Sequence, residues 1–484
     1  MKTNGKSKSA EIRARLGHPV IDSDGHMVEY APAFFDYLKK IAGESTVRRY
    51  RAAGFGFGCT ADWYRLSPEE RTRHHAVRPP WWPLPTSNTL DRATSTLPRL
   101  LHERLDEMGI DFTVLYPSLG LDAPYLADDE VRQAACRALN TMYADLFAEF
   151  SDRMTPAGII PMNTPGEAIA ELEYATKTLG LKAFMMATHA IRPVPLVNEQ
   201  APELSRYARY IDNFCIDSAY DYDPVWEKCV DLRVAPGFHS SGMGWGSRTT
   251  SNYMFNHIGH FASACEALCK GAFISGVTRR FPKLRLAFLE CGVWWACALY
   301  GDLIGRWEKR SGEKIHNYNP ASLNRELYAD LFRRYGGKLA TAEMMAQLPT
   351  VLGAPDHHPE QLDDLAACQI SKKEQIRDLF VPNFYFGCEA DDPTNAFAFD
   401  RKSNPMGARL NAIFSSDIGH WDVPDMREVL EEAYELVEHD VMNEDDFRDF
   451  VFGNPARLFT EANPDFFKGT RVEGAVKKLL GSES

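Results

Sequence analysis

Two carboxylates and an imidazole follow an apolar run in HPVIDSDGH (18–26), where Asp24 and His26 stand two residues apart. The same kind of ending recurs downstream. His239 closes RVAPGFHS (233–240), Glu290 closes LRLAFLEC (284–291), and Asp417 lies in NAIFSSDIGH (411–420). Carboxylate and imidazole donors without thiolates suit Zn²⁺, Fe²⁺ or Mn²⁺, and such sites keep a position open for water or substrate. The D-x-H spacing has a mechanical reason, since residues i and i+2 of a strand point to the same face. Each element alone has an ordinary reading. A histidine at a strand end is commonly a hydrogen-bonded structural residue, and Asp417 could cap a helix, although Asp425 is better placed for that. Their recurrence at several strand ends points to a shared metal centre. In that setting Asp417 is both ligand and proton carrier. Glu290 is a general base or acid, a ligand for a second ion, or a structural carboxylate.

These residues need a scaffold that gathers strand ends. Eight short apolar runs fit strands: 18–26, 111–118, 154–162, 181–188, 233–240, 284–291, 383–390 and 411–420. Helical patterns at 128–150, 165–179, 223–232, 253–277, 292–310 and 425–438 separate most of them. Apolar strands alternating with helices indicate parallel strands buried on both faces. Eight such units predict a (β/α)8 barrel, whose catalytic groups gather at the C-terminal strand ends. A doubly wound open sheet would instead want a Gly-rich phosphate turn after the first strand, and DSDGHM is not one. The barrel is expected over 18–460, with a leader at 1–17, a tail at 461–484, and insertions at about 45–100, 189–222 and 311–380. Long ordered insertions tend to be lids, substrate walls or oligomer contacts. The helical, charged 311–380 segment is the candidate dimer arm.

Other groups carry weaker signals. His257 and His260, in SNYMFNHIGHFA, are spaced i, i+3 and are expected to share one helix face after the fifth strand. They could act in acid–base chemistry, bind substrate, serve a second ion, or pack under the barrel mouth. His74–His75 and His357–His358 are adjacent pairs that point apart, as solvated loop residues do. The Gly-rich GMGWGS (242–247) lacks the lysine and helix of a phosphate loop. Aromatic residues in DWY (62–64), at Trp81–Trp82, Trp245 and Trp294–Trp295 could wall a bulky or ring-bearing substrate. Arg78, Arg92 and Arg248 could counter its charge.

A net charge of −13 argues against a nucleic-acid binder. No run of about 18 apolar residues occurs, and the basic N-terminal stretch lacks an apolar signal region. The reading is a cytoplasmic protein with no membrane partner. The 10 cysteines include no C-x-x-C pair and read as reduced, mostly buried thiols.

The segments VIDSDGH, GVTRRFPKLRLAFLECGVWWA, IFSSDIGHWD and FVFGNPARLF resemble the amidohydrolase-related family (amidohydrolase 2) of the metal-dependent hydrolase superfamily. The resemblance covers roughly 18–310 and 383–460 and leaves the insertions unexplained. It implies a (β/α)8 barrel and a metal held by Asp24, His26, His239 and Asp417. Many relatives carry a histidine in place of Asp24 and a catalytic histidine in place of Glu290. The expected activity is hydrolysis of an amide, ester, thioester or C–C bond beside a carbonyl in a bulky small molecule. Water activated on zinc, or on iron or manganese, one or two ions per chain, would attack it. Asp417, Glu290 and His257 are the catalytic candidates; Trp245, Arg248, Trp294 and His260 are the substrate-binding ones. The alternative is non-oxidative decarboxylation of an aromatic or enamine-like acid, and a third reading is a catalytically silent binding barrel.

Overall fold

All eight apolar runs form strands in the computed structural model, which describes residues 6–53, 61–79, 87–205, 207–239, 248–351 and 363–481. The strands are β1 (Ile21–Met27), β2 (Phe112–Pro117), β3 (Met154–Ile160), β4 (Ala183–Met186), β5 (Pro236–Phe238), β6 (Leu286–Phe288), β7 (Phe384–Glu389) and β8 (Asn411–Ser415). They pair in parallel in that order. Two backbone bonds close β8 onto β1: His26 N–H donates to the Ile418 carbonyl at 2.8 Å, and Asp417 N–H to the Asp24 carbonyl at 3.0 Å. The sheet is therefore a nearly closed barrel, ringed by helices. Closure also solves the positioning problem, because it joins the two segments that carry Asp24, His26 and Asp417.

β1 is buried along its whole length although it contains four polar side chains, Asp22, Ser23, Asp24 and His26. Its first carboxylate, Asp22, supports the wall. It accepts from Thr113 Oγ1 at 2.7 Å on β2, and from Ser416 N–H at 2.9 Å and Ser416 Oγ at 2.8 Å beyond β8. The register shifts between Asp22 and Gly25, a bulge of the kind that re-aims side chains at barrel rims. Gly25 is required there by space. A Cβ would lie 2.7 Å from Asp22 Oδ2 and 2.9 Å from Thr113 Oγ1. Replacing Asp22 by Ala strands four buried donors, those of Thr113 and Ser416 and the Asp24 N–H at 3.2 Å, and is expected to cost about 2–4 kcal/mol. Urea unfolding checks this; a variant as stable as its parent would remove Asp22 from the wall.

Several expectations shift at their edges. The predicted 189–222 insertion contains an antiparallel hairpin, Ala190–Pro193 against Arg209–Asp212. The first residues of the predicted 45–100 insertion belong to the helical span Ala31–Ala53, which breaks at Gly43 (φ +80°) and buries Val47 and Tyr50 in the barrel shell. The leader forms the helix Lys8–Arg15 with Ile12 buried, and the tail buries Phe466, Phe467 and Val476. Both expected appendages are thus packed on the barrel. Among the described residues no helix is long and apolar enough to cross a membrane. Described cysteines are unbonded, and Cys136, Cys229, Cys265, Cys269, Cys291, Cys368 and Cys388 are buried.

Candidate metal centre

The four expected ligands lie at the C-terminal rim of the barrel. His26 is at their middle. Its Nε2 is 3.6 Å from Asp24 Oδ1 and 3.4 Å from Asp417 Oδ1, and Asp24, His26 and His239 offer donor atoms within 4.8 Å of one another. A tetrahedral ion with bonds of about 2.1 Å spaces its ligand atoms about 3.4 Å apart, so these separations fit a shared cation. The tautomer of His26 fits too. Its Nδ1 lies 3.1 Å from the Pro117 carbonyl, which only accepts, so Nδ1 carries the proton and Nε2 turns a lone pair inward. Neither His26 Nε2 nor Asp24 Oδ1 has a hydrogen-bond partner among the described residues, although both are buried. Orphaned, buried, lone-pair-bearing atoms that converge on one point are what a divalent ion requires.

Glu290 enters the centre from β6. Its Oε2 is 2.9 Å from His239 Nε2 and 4.0 Å from His26 Nε2. His239 therefore faces Glu290 and the Asp24–His26 pair together. Glu290 and Asp417 both adopt positive φ, +52° and +50°. Side chains other than glycine enter that left-handed region at a cost of about 1–2 kcal/mol, and such residues cluster at functional sites.

Electrostatics follow from burial. Burial, reinforced by Glu290 and Asp22, raises the Asp24 carboxyl well above its ordinary range. Burial, then the Asp422 and Glu290 charges, do the same to Asp417. Burial and the neighbouring His420 and His239 push the His26 imidazole well down. Glu290 is driven up by burial, but its hydrogen bond to His239 and the charge of that ring hold it below the usual carboxylate value.

Sequence reasoning missed three residues here. His420 Nδ1 lies 2.8 Å from Asp417 Oδ1 as an ion-pair contact, its Nε2 meets Ser118 Oγ at 3.0 Å, and its ring stacks on His26 with centroids 3.7 Å apart. It fixes Asp417 from behind, as outer-shell partners of a metal ligand do. The signal was the i, i+3 spacing in SSDIGH. Glu389 and Asp422 lie beside Glu290 with carboxylate oxygens within 4.8 Å. Glu389 ends β7 and was accessible to the strand-end rule. Burial and the Asp422 and Glu290 charges push it up to about 8.

The remaining candidates separate. The expected shared face of His257 and His260 does not exist. Gly259, at φ +71°, breaks the predicted 253–277 helix into Tyr253–His257 and His260–Ile274. His257 then lines the mouth, with ring centroids 5.4 Å from Tyr253, 5.4 Å from Phe261 and 5.7 Å from Trp421. His260 is buried against the Arg248 guanidinium instead. Arg248 also donates to the Asn256 carbonyl, and Arg78 donates to the Ser251 carbonyl at 2.6 Å. Both arginines, expected as counter-charges for a substrate, make these bonds to the 248–256 segment. Trp294 lines an outer groove with Glu266, Lys270 and Arg306, while Trp295 is core, donating to the Cys291 carbonyl at 2.9 Å. Trp81, Trp82, Trp245, the 242–247 loop and His357–His358 lie outside the described residues.

A family model described as amidohydrolase matches residues 72–335. Among solved structures, an amidohydrolase from Mycobacterium avium subsp. paratuberculosis K-10 is 17% identical, with 92% of this chain and 98% of that one covered, at a TM-score of 0.51. A dihydroxybenzoic acid decarboxylase from Polaromonas sp. JS666, with bound manganese and the inhibitor 2-nitroresorcinol, is 15% identical over 93% and 99%, at 0.46. A 5-carboxyvanillate decarboxylase from Novosphingobium aromaticivorans DSM 12444, complexed with manganese, is 13% identical over 92% and 96%, at 0.48. At these identities the likeness is one of fold.

Proposed function

The chain belongs to the amidohydrolase family, and from that premise we propose that it is a metal-dependent carboxy-lyase, releasing CO₂ without oxidation from a small aromatic or enamine-like acid. The observation that carries this reading is the placing of Asp417: it is buried at the rim, its Oδ2 has no hydrogen-bond partner among the described residues, and burial with the Asp422 and Glu290 charges raises its carboxyl well above the ordinary range. A carboxyl of raised proton affinity suits handing a proton to carbon, whereas hydrolysis asks it to take one from water.

Asp24, His26, His239 and Asp417 would hold the ion, and their mixed nitrogen and oxygen donors suit manganese or zinc. When bound, the ion supplies a Lewis acid that orients the substrate carboxylate and an adjacent hydroxyl. Asp417 passes its proton to the carbon that bears the carboxylate. The C–C bond breaks, CO₂ leaves, and Asp417 regains a proton from solvent. Tyr253, His257, Phe261 and Trp421 offer faces on which a planar ring can lie.

Hydrolysis of a neutral acyl compound is the second reading, favoured by the carboxylates Glu290, Glu389 and Asp422, which repel an anionic substrate. A screen of aromatic acids and acyl compounds separates the two. Stoichiometric CO₂ without solvent ¹⁸O in the organic product is expected. Incorporation of ¹⁸O into an acid product, with no CO₂, would replace the lyase reading by the hydrolase one.

A further inference from the structure

We propose that the helix Arg325–Tyr335 is the contact surface for a second copy of this chain, laid antiparallel on its own mate about a two-fold axis at Leu331. It lies in the 311–380 segment, and the inference is independent of the chemistry at the barrel rim. None of its 11 residues is fully buried, yet the helix is apolar on two sides. Tyr328 and Phe332 are half-buried, with ring centroids 5.0 Å apart. Leu327, Leu331 and Tyr335 form a separate stripe at four-residue spacing, and Leu323 and Leu339 continue that spacing beyond either end. All five are exposed, by 38% to 77%.

Surface helices turn an apolar stripe to the core and polar residues outward. This stripe faces solvent. Five leucine and tyrosine side chains at that exposure leave on the order of 500 Å² of surface in water, the size of the largest apolar patch on a typical monomer. A stable pair takes about 800 Å² from each partner. The stripe supplies most of that area, and the charged row beside it supplies a polar rim.

Two features identify the occupant as the same chain. The stripe reads alike in both directions. About Leu331, Leu323 exchanges with Leu339 and Leu327 with Tyr335, so each apolar side chain of one copy meets one on the other. A two-fold contact requires that self-complementarity. Charge then fixes the direction. Glu326, Asp330 and Arg334 form the row beside the stripe, four residues apart, and it runs from acidic to basic. Antiparallel packing sets Arg334 of one copy against Glu326 and Asp330 of the other, twice about the axis. Parallel packing would face that row with Tyr328 and Phe332 and pair no charges. Within one copy Arg334 lies 2.8 Å from Asp330, which holds the guanidinium on this flank.

Sedimentation equilibrium of the full-length chain tests the surface, and the parent is expected as a dimer at low micromolar concentration. Leu331→Glu should raise the dimer Kd at least about a hundredfold, because it sets two like carboxylates together on the axis. Arg334→Glu should weaken the dimer, and Glu326→Arg/Arg334→Glu should associate more tightly than Arg334→Glu alone, since the exchange rebuilds the pairs in the opposite sense. Leu331→Cys adds a readout that needs no loss of association. On the axis it lies opposite its own mate, so mild oxidation should lock a covalent dimer that the parent and Arg333→Cys, on the far side of the helix, do not form. A monomeric parent overturns the proposal and leaves the stripe to a different protein. A Leu331→Glu variant as associated as the parent, with no covalent Leu331→Cys dimer, moves the contact to another face and overturns it too. Should Leu331→Glu fail to fold, the covalent dimer decides alone.

Discussion

Replacing Asp417 by Asn is expected to lower kcat by about 10³–10⁴-fold on the acid that the CO₂ screen identifies. That is the upper range for losing a general acid, and here a metal ligand goes with it. The substitution isolates charge and proton from shape. Asn is nearly isosteric and keeps an oxygen beside His420 Nδ1, which lies 2.8 Å from Asp417 Oδ1, so the rim keeps its shape. An amide cannot hand a proton to carbon and is a poor ligand. The variant should also unfold at a higher temperature than the parent when both are metal-free, because one member of a repelling carboxylate cluster has become neutral. Lost turnover with unchanged or improved stability is therefore the signature. Turnover within a few-fold of the parent would mean that the proton comes from elsewhere, with Glu290 and His257 next in line.

The strands and the candidate ligands at their ends were legible in the sequence because one rule governs both. A strand buried on two faces must be apolar throughout, so a carboxylate or imidazole at its C-terminal end stands out. Asp24, His26, His239, Glu290 and Asp417 were all legible in that way. Asp22 shows the limit of the rule. It shares the run with Asp24 but serves Thr113 and Ser416, and only the bulge before Gly25 separates the two roles. His420 and Asp422 lie past the last strand, where position depends on loop conformation. Glu389 stands beside Ala390-Asp391-Asp392, and an acidic run after a strand looks like a solvated turn. The His257–His260 pairing failed at one backbone angle. Nothing in a periodicity announces that Gly259 will adopt φ +71° and end a helix that the flanking residues could have continued. The arginines failed for another reason, since long cationic side chains satisfy whichever carbonyls the fold brings near, and Asn256 and Ser251 were nearest.

Removing the metal should abolish activity and destabilise the chain by an amount that grows with pH. With the ion at about a thousandfold over its Kd, binding to the folded chain alone contributes about 4 kcal/mol. Part of that depends on protons. In the metal-free fold the Asp24 and Asp417 carboxyls sit well above the ordinary value of 3.8. A carboxyl raised by folding binds its proton more tightly in the folded chain. Its contribution to stability is complete below 3.8 and is lost as pH rises through the folded value. The metal-free chain therefore loses stability from these two groups as pH climbs. The loaded chain keeps the share of Asp24, because the ion replaces that proton, while Asp417 retains the one it donates. His26 adds no opposing cost at neutral pH, since burial already keeps its ring neutral there. Melting curves of chelated and Mn²⁺-loaded protein should consequently diverge from pH 5 to pH 8, with the wider gap at pH 8. A gap of constant width across that range would show that no proton leaves Asp24 when the ion binds, and the donor set assigned to the centre would have to be redrawn.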